Sequence, residues 1–172
     1  MNLSKYVACI CEGAAEQTII DLLLEDNRLI FSYDNLLDGE IIRCRKAKKF
    51  EERYLRKGFS EKITIIRIID SRRENFTLSK PYALKIKVIN IITAPEIEML
   101  IILKENKFHE FKKSKKNPSD FCTIDLKFQD VKSPSFLKKY FSNVDSLVSA
   151  ILEYKRISKI KPGEYSLADL LK

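Results

Sequence analysis

Only one histidine, His109, occurs in the 172 residues, and the four cysteines (Cys9, Cys11, Cys44 and Cys122) show no CxxC spacing. A zinc site needs a further pair of soft ligands at fixed spacing, so that class falls away. His109 has no carboxylate, serine or cysteine partner at a recognisable interval, which points to a surface role. Glycine is also scarce, with four residues and no glycine-rich phosphate loop, and this argues against a small-nucleotide enzyme. The longest apolar stretches reach about seven residues, well short of the roughly 18 that a membrane span requires. Met1 to Lys5 runs directly into a strand-like segment without a signal-peptide pattern. The expectation is a cytoplasmic chain with no membrane partner. Cys9 and Cys11, two apart on one strand face, cannot easily bridge each other. The thiols read as buried and reduced, which fits a reducing cytoplasm.

What the chain does hold is apolar residues (45%), few prolines and a net charge of +8 with a pI near 9.2. Its length suits one domain, residues 1–172, that buries roughly two-thirds of its unfolded surface. Lysines and arginines concentrate in residues 43–56, 67–73 and 104–116. Such stripes attract polyanions, of which nucleic acid is the commonest in a cytoplasm, although they also serve plain solubility.

Val7 to Cys11 is short and apolar and ends at Glu12-Gly13, the pattern of a buried strand. Residues 14–25 predict an apolar helix, and 29–33 and 40–45 are candidate short strands. Residues 46–57 predict a charged helix stopped by Gly58, with Phe50, Tyr54 and Leu55 facing inward. Ile63 to Ile69 predicts a central strand buried on both faces despite Arg67, and 87–93 the next strand. Pro95 suits the first turn of a helix running to about Lys104, where Glu96 and Glu98 favour the positive helix end. Residues 112–119 predict an exposed basic loop. Helices follow over 135–140, over 144–157 with Val144, Leu147, Val148, Ile151 and Leu152 on one face, and over 167–171 behind a Ser166/Asp169 cap. Strands alternating with helices to residue 104, then helices alone, predict an α/β core with a helical C-terminal extension (105–172).

Two of the predicted strands end in an acid, Glu12 and Asp70. If they are parallel neighbours, both carboxylates reach the carboxyl edge of one sheet, where open α/β sheets place their ligands. Paired carboxylates without soft partners suit hard cations such as magnesium, which serve phosphate chemistry. Each acid also has an ordinary structural role. Glu12-Gly13 can simply join strand to helix, Asp70 can cap a helix, and Glu16, Glu96 and Glu98 can be solvated first-turn charges.

The order strand, Glu12-Gly13, helix, then a later strand ending in Asp70-Ser71-Arg72 resembles the TOPRIM domain of topoisomerases and primases. The resemblance covers roughly residues 5–104. It looks nearest to the stand-alone RloB-type proteins and the overcoming-lysogenization-defect nucleases of bacterial restriction and phage-defence loci. Ala94-Pro95-Glu96-Ile97-Glu98 is similar to a segment of the RloB type. The family's second aspartate is replaced here by Arg72.

The resemblance implies a Rossmann-like, mostly parallel sheet flanked by helices, and a magnesium- or manganese-dependent nuclease. Glu12 would be acid/base or first ligand, Asp70 the main metal ligand, and Glu16 and Glu98 further ligands. Arg72 would offset charge or contact phosphate. Arg67, inside a strand, needs a buried partner, for which Glu12 is a candidate. Lys112, Lys113, Ser114, Lys115 and Lys116 would contact nucleic-acid phosphates, as would Arg67, with Phe108, Phe111 and Phe121 near enough to stack bases unless they belong to the core. The competing reading is a catalytically degenerate subunit that binds nucleic acid or an ATPase partner, and a homodimer is compatible with either.

Overall fold

The computed structural model describes residues 1–56, 62–71, 75–93, 97–158, 160–161 and 163–172. Three strands, β1 (Tyr6–Cys11), β2 (Ile63–Ile69) and β3 (Lys87–Ile92), form a parallel sheet in the order β1-β2-β3. In register, Cys11 stands opposite Ile68, and Ile69 opposite Ile92. All seven residues of β2 are buried, as expected of a central parallel strand with both faces covered.

Strand alternation sorts the side chains between two cores. Val7, Cys9, Cys11, Ile66, Ile68, Ile89 and Ile91 belong to the larger one, and Ala8, Ile10, Ile63 and Ile65 to the smaller. Helix α1 (Ala14–Glu25) inserts Ile19, Ile20, Leu22, Leu23 and Leu24 into the larger core. It ends where Asn27 adopts a left-handed conformation and the Arg28 N–H donates to the Leu23 carbonyl, closing the last turn. The smaller core is closed by α2 (Ala47–Phe50), by the π-helical turn Glu51–Leu55 that continues it, and by the segment around α3 (Lys80–Ala83). Phe50, Tyr54 and Leu55 face inward, as their spacing predicts.

The stretch from 29 to 45 supplies isolated bridges and no regular strand. Leu36 and Ile42 bridge to Val7 and Ile10 in parallel fashion, and Leu29 pairs with Leu171. Asp38 and Gly39, both at positive φ, interrupt that stretch, so its pairing with β1 does not extend.

After β3 come α4 (Met99–Lys104), α5 (Phe108–Ser114), α6 (Pro118–Asp120), α7 (Pro134–Tyr140) and α8 (Val144–Ile157), then a 3-10 turn at Leu167–Leu170. Helix α4 starts later than Pro95, and residues 94–96 lie outside the described residues, as do Gly58 and Lys57. Residues 112–114, expected in a loop, form the last turn of α5. Phe108 and Phe111, three apart, pack on the larger core and hold that turn helical until Lys115 turns left-handed at φ 57. On α8, Leu147, Ala150, Ile151 and Tyr154 are buried, while Leu152, expected on that face, is 51% exposed. Ser166 and Asp169 form the expected capping box. The architecture is thus α/β, a three-stranded parallel sheet flanked by helices, and the described residues after 104 are helices and turns with single bridges from Tyr165 to Ile91 and from Leu171 to Leu29.

Candidate functional site

Parallel register brings Glu12 and Asp70 to the same sheet edge. Glu12 follows Cys11, the partner of Ile68, so it stands level with Ile69, one residue short of Asp70 on the adjoining strand. Alternation separates the two. Glu12 continues the row of Ala8 and Ile10 toward the smaller core, whereas Asp70 follows Ile66 and Ile68 and is exposed.

Arg67 lies on the Glu12 side. It is only 1% exposed and in register with Ile10 of β1 and Asn90 of β3, with Glu12 as its diagonal neighbour. Its Nη2 stands 3.3 Å from Glu12 Oε1, and its Nη1 donates to Asn90 Oδ1 at 3.4 Å. The Phe76 ring covers the guanidinium, with the centroid 4.6 Å from Cζ, and Phe76 in turn packs on Phe50. A charge in this position requires a partner, and the Glu12 carboxylate, itself 8% exposed, supplies one. Arg67, expected to contact nucleic acid, is here enclosed by Glu12, Asn90 and Phe76.

Glu16 sits over the turn that joins β1 to α1. A methyl group on Gly13 would meet its carboxylate oxygen, the far end of a flexible side chain, and Gly13 itself has an ordinary φ. Glu98 goes elsewhere. Its side chain is wholly buried, and Oε1 pairs with Lys132 Nζ at 2.9 Å from the chain leading into α7. Cys122 approaches the same turn, with Sγ 3.9 Å from the Glu98 carbonyl. Arg72 and Glu96 lie outside the described residues.

The cysteines are all free. Cys9, Cys11 and Cys122 are buried as expected, but Cys44 is only partly so. Hydrogen bonding with Cys9, then burial, pushes the Cys11 thiol well above its ordinary value, so it fills the core as a neutral group.

The 104–116 stripe is largely occupied within the chain. Lys104 lies 3.9 Å from the Tyr140 ring centroid and donates to the Tyr140 carbonyl, and burial lowers its pKa. Lys107 pairs with Glu110, Lys116 with Asp125, and Lys112 covers the Phe108 ring. Ser114 Oγ donates to the Phe111 carbonyl, leaving Lys113 and Lys115 as exposed cations of α5 and its end. Phe121 is buried, and Phe108 and Phe111 are half-buried against the larger core. His109 is exposed.

Among the described residues no three His, Cys, Asp or Glu side chains converge as a metal site. Of the acids expected to hold a metal, Glu12 is engaged by Arg67 and Glu98 by Lys132. Sequence reasoning named Arg67 and its Glu12 partner. It missed Asn90, which the β2–β3 register would locate, and Phe76 and Lys132, for which the sequence carries no periodic signal. Among the described residues no helix is long and apolar enough to cross a membrane. No family model, curated protein or solved structure matches this chain.

Proposed function

We propose that the chain is a TOPRIM-like protein that binds nucleic-acid phosphates at the carboxyl edge of its sheet without cleaving them, alone or as the subunit of a larger ATPase. The observation that carries this reading is the Glu12–Arg67 ion pair. The carboxylate that a metal-dependent nuclease would hold open is here bound at 3.3 Å by a buried guanidinium, itself fixed by Asn90 and Phe76. Asp70 stays exposed at that edge, and the chain carries an excess of eight positive charges to draw a polyanion toward it.

A second reading is magnesium- or manganese-dependent phosphodiester cleavage. The register that sets Glu12 beside Asp70, with Glu16 over the Gly13 turn, favours it. Restriction or phage defence is the setting that the TOPRIM-like pattern suggests for either.

The two readings separate in one experiment. Purified protein and a Glu12→Gln variant are incubated with single-stranded and duplex DNA and with RNA, each with magnesium, manganese or chelator. Salt-sensitive retention of intact nucleic acid supports the binding reading. Cleavage that needs metal and disappears in the variant replaces it with the nuclease. Absence of both retention and cleavage refutes the two together.

A further inference from the structure

We infer that the nucleic acid is a duplex, gripped through its phosphates by the segment Arg43–Lys49. This rests on the binding reading above and assigns its substrate class and its contact surface.

Chain direction sets where this segment emerges. Ile42 pairs in parallel with Ile10, the Cys11 N–H donates to the Ile42 carbonyl, and the Ile42 N–H donates to the Cys9 carbonyl. Segment 41–43 therefore runs alongside β1 in the same sense, on the side away from β2. Residues beyond 42 emerge at the carboxyl edge, the same edge as Glu12 and Asp70. There the chain places Arg43, Arg45, Lys46, Lys48 and Lys49, all exposed, before turning back over the smaller core.

The inward residues fix this presentation. Ala47 and Phe50 are buried, so Lys48 and Lys49 between them point to solvent. Four acids flank the five cations of the strip in sequence, Asp38 and Glu40 before it and Glu51 and Glu52 after it. Glu51 accepts from the Ser79 N–H and Glu52 faces Arg56. Among the described residues Arg43, Arg45, Lys46, Lys48 and Lys49 join no salt bridge, in contrast to Lys107 and Lys116 of the other stripe.

The same burial pattern selects the ligand. Binding of single strands relies on exposed aromatic rings that stack bases. Here Phe50 and Tyr54 are inside, and among the described residues the exposed large apolar side chains are Met1, Tyr33, Leu84, Ile124 and Leu152, none in the strip. A membrane-surface helix would need an apolar face toward lipid, but the apolar face of this segment is turned to the sheet. What remains is a row of cations suited to phosphates alone, which is the sequence-independent way of holding a duplex.

Equilibrium binding in chelator, free of any cleavage, tests this with fluorescent duplex DNA, the matching single strand and anionic phosphatidylserine vesicles. Three proteins are compared: wild type, Arg45→Ala/Lys48→Ala/Lys49→Ala, and Lys112→Ala/Lys113→Ala/Lys115→Ala. The strip variant should lower the slope of log K against log salt by about three and weaken duplex binding about 100-fold at 0.15 M salt, taking roughly 0.9 counterions per lost phosphate contact. The α5 variant should weaken duplex binding far less than the strip variant does. Arg45→Lys/Lys48→Arg/Lys49→Arg should retain binding, and circular dichroism should show all variants folded.

Equal loss in the α5 variant, no loss in the strip variant, preference for the single strand, or binding to vesicles alone would each overturn the inference. Of these, the first three leave the binding reading intact. A wild-type protein that retains no nucleic acid would remove that reading as well.

Discussion

Replacing Arg67 by methionine removes a guanidinium that is 1% exposed while keeping a side chain long enough to fill much of its space. Glu12, 8% exposed, would lose its partner at 3.3 Å, Asn90 a donor at 3.4 Å, and the Phe76 ring its cation. Breaking a buried pair from one side costs about 3–5 kcal/mol. Glu12 stands at a strand end and can turn toward water, so the lower end, about 3 kcal/mol, is expected. Glu12→Gln keeps an oxygen for Nη2 but loses the charge, and a hydrogen bond to a charged group is worth about 1.5–3 kcal/mol. The double variant Arg67→Met/Glu12→Gln leaves no uncompensated charge, so it should cost less than the sum, with a coupling of about 1–3 kcal/mol. Urea unfolding followed by circular dichroism gives all four corners of the cycle. The melting temperature of Arg67→Met should fall by about 6–12 °C, at roughly 2–4 °C per kcal/mol for a chain of this size. Costs that add, or a wild-type melting temperature in Arg67→Met, would show that the ion pair does not hold this edge together.

Burial, then the Asp21 and Glu25 carboxylates, push the Tyr33 phenol from 10.0 up to about 12. Between pH 10 and about 12 the folded chain keeps a proton that the unfolded chain has released, so the stability present below pH 10 is lost as pH rises through that window. Tyr33→Phe should flatten the alkaline fall in the urea midpoint; equal slopes would refute this. Gly13→Ala should cost under about 1 kcal/mol, because Gly13 has an ordinary φ of −119° and only the flexible Glu16 carboxylate must move. A loss of several kcal/mol would mean that Glu16 is fixed at the turn. Asp169→Ala removes the acceptor for the Ser166 N–H and hydroxyl and for Lys155. About 1–2 kcal/mol should be lost, read as a lower urea midpoint, and an unchanged midpoint would deny the capping box any weight.

The elements that the sequence makes legible are those in which periodicity and burial agree. β1 and β2 show continuous apolar runs because both faces are covered, and α1 and α8 show their inner faces at helical spacing. The 29–45 stretch misleads because its short apolar groups satisfy single bridges to β1 and Leu171 rather than a continuous ladder. Residues 112–114 mislead in the opposite direction. Their lysines look like a loop until Phe108 and Phe111 are seen to anchor the turn from below. Sequence order pointed to Lys112–Lys116 and Arg67 as the phosphate contacts and gave the basic stretch 43–56 no such role. The parallel pairing of Ile42 with Ile10 carries that stretch to the sheet edge, while Glu110, Asp125 and Tyr140 engage several cations of the 104–116 stripe.

Among the described residues, Arg67 and Glu98 are the charged side chains that are fully buried, and both stand near the carboxyl ends of β2 and β3. They serve different cores. Arg67 faces the smaller one and pairs with Glu12, whereas Glu98 belongs to the turn that enters α4 and pairs with Lys132. Core stability does not account for such groups, since well-packed apolar replacements of a buried ion pair are commonly as stable or more so. What a buried pair does provide is orientation, because each charge has few positions that satisfy it. Glu12 is therefore held in one direction at the strand end, and Lys132 is drawn onto the α4 turn. The edge that pattern alone marks as two acids is better described as a braced rim. Glu12 is committed inward to Arg67, Asp70 remains outward, and Arg43 to Lys49 lie alongside. Under the binding reading proposed above, a rim of that charge would favour a phosphate backbone over a divalent ion.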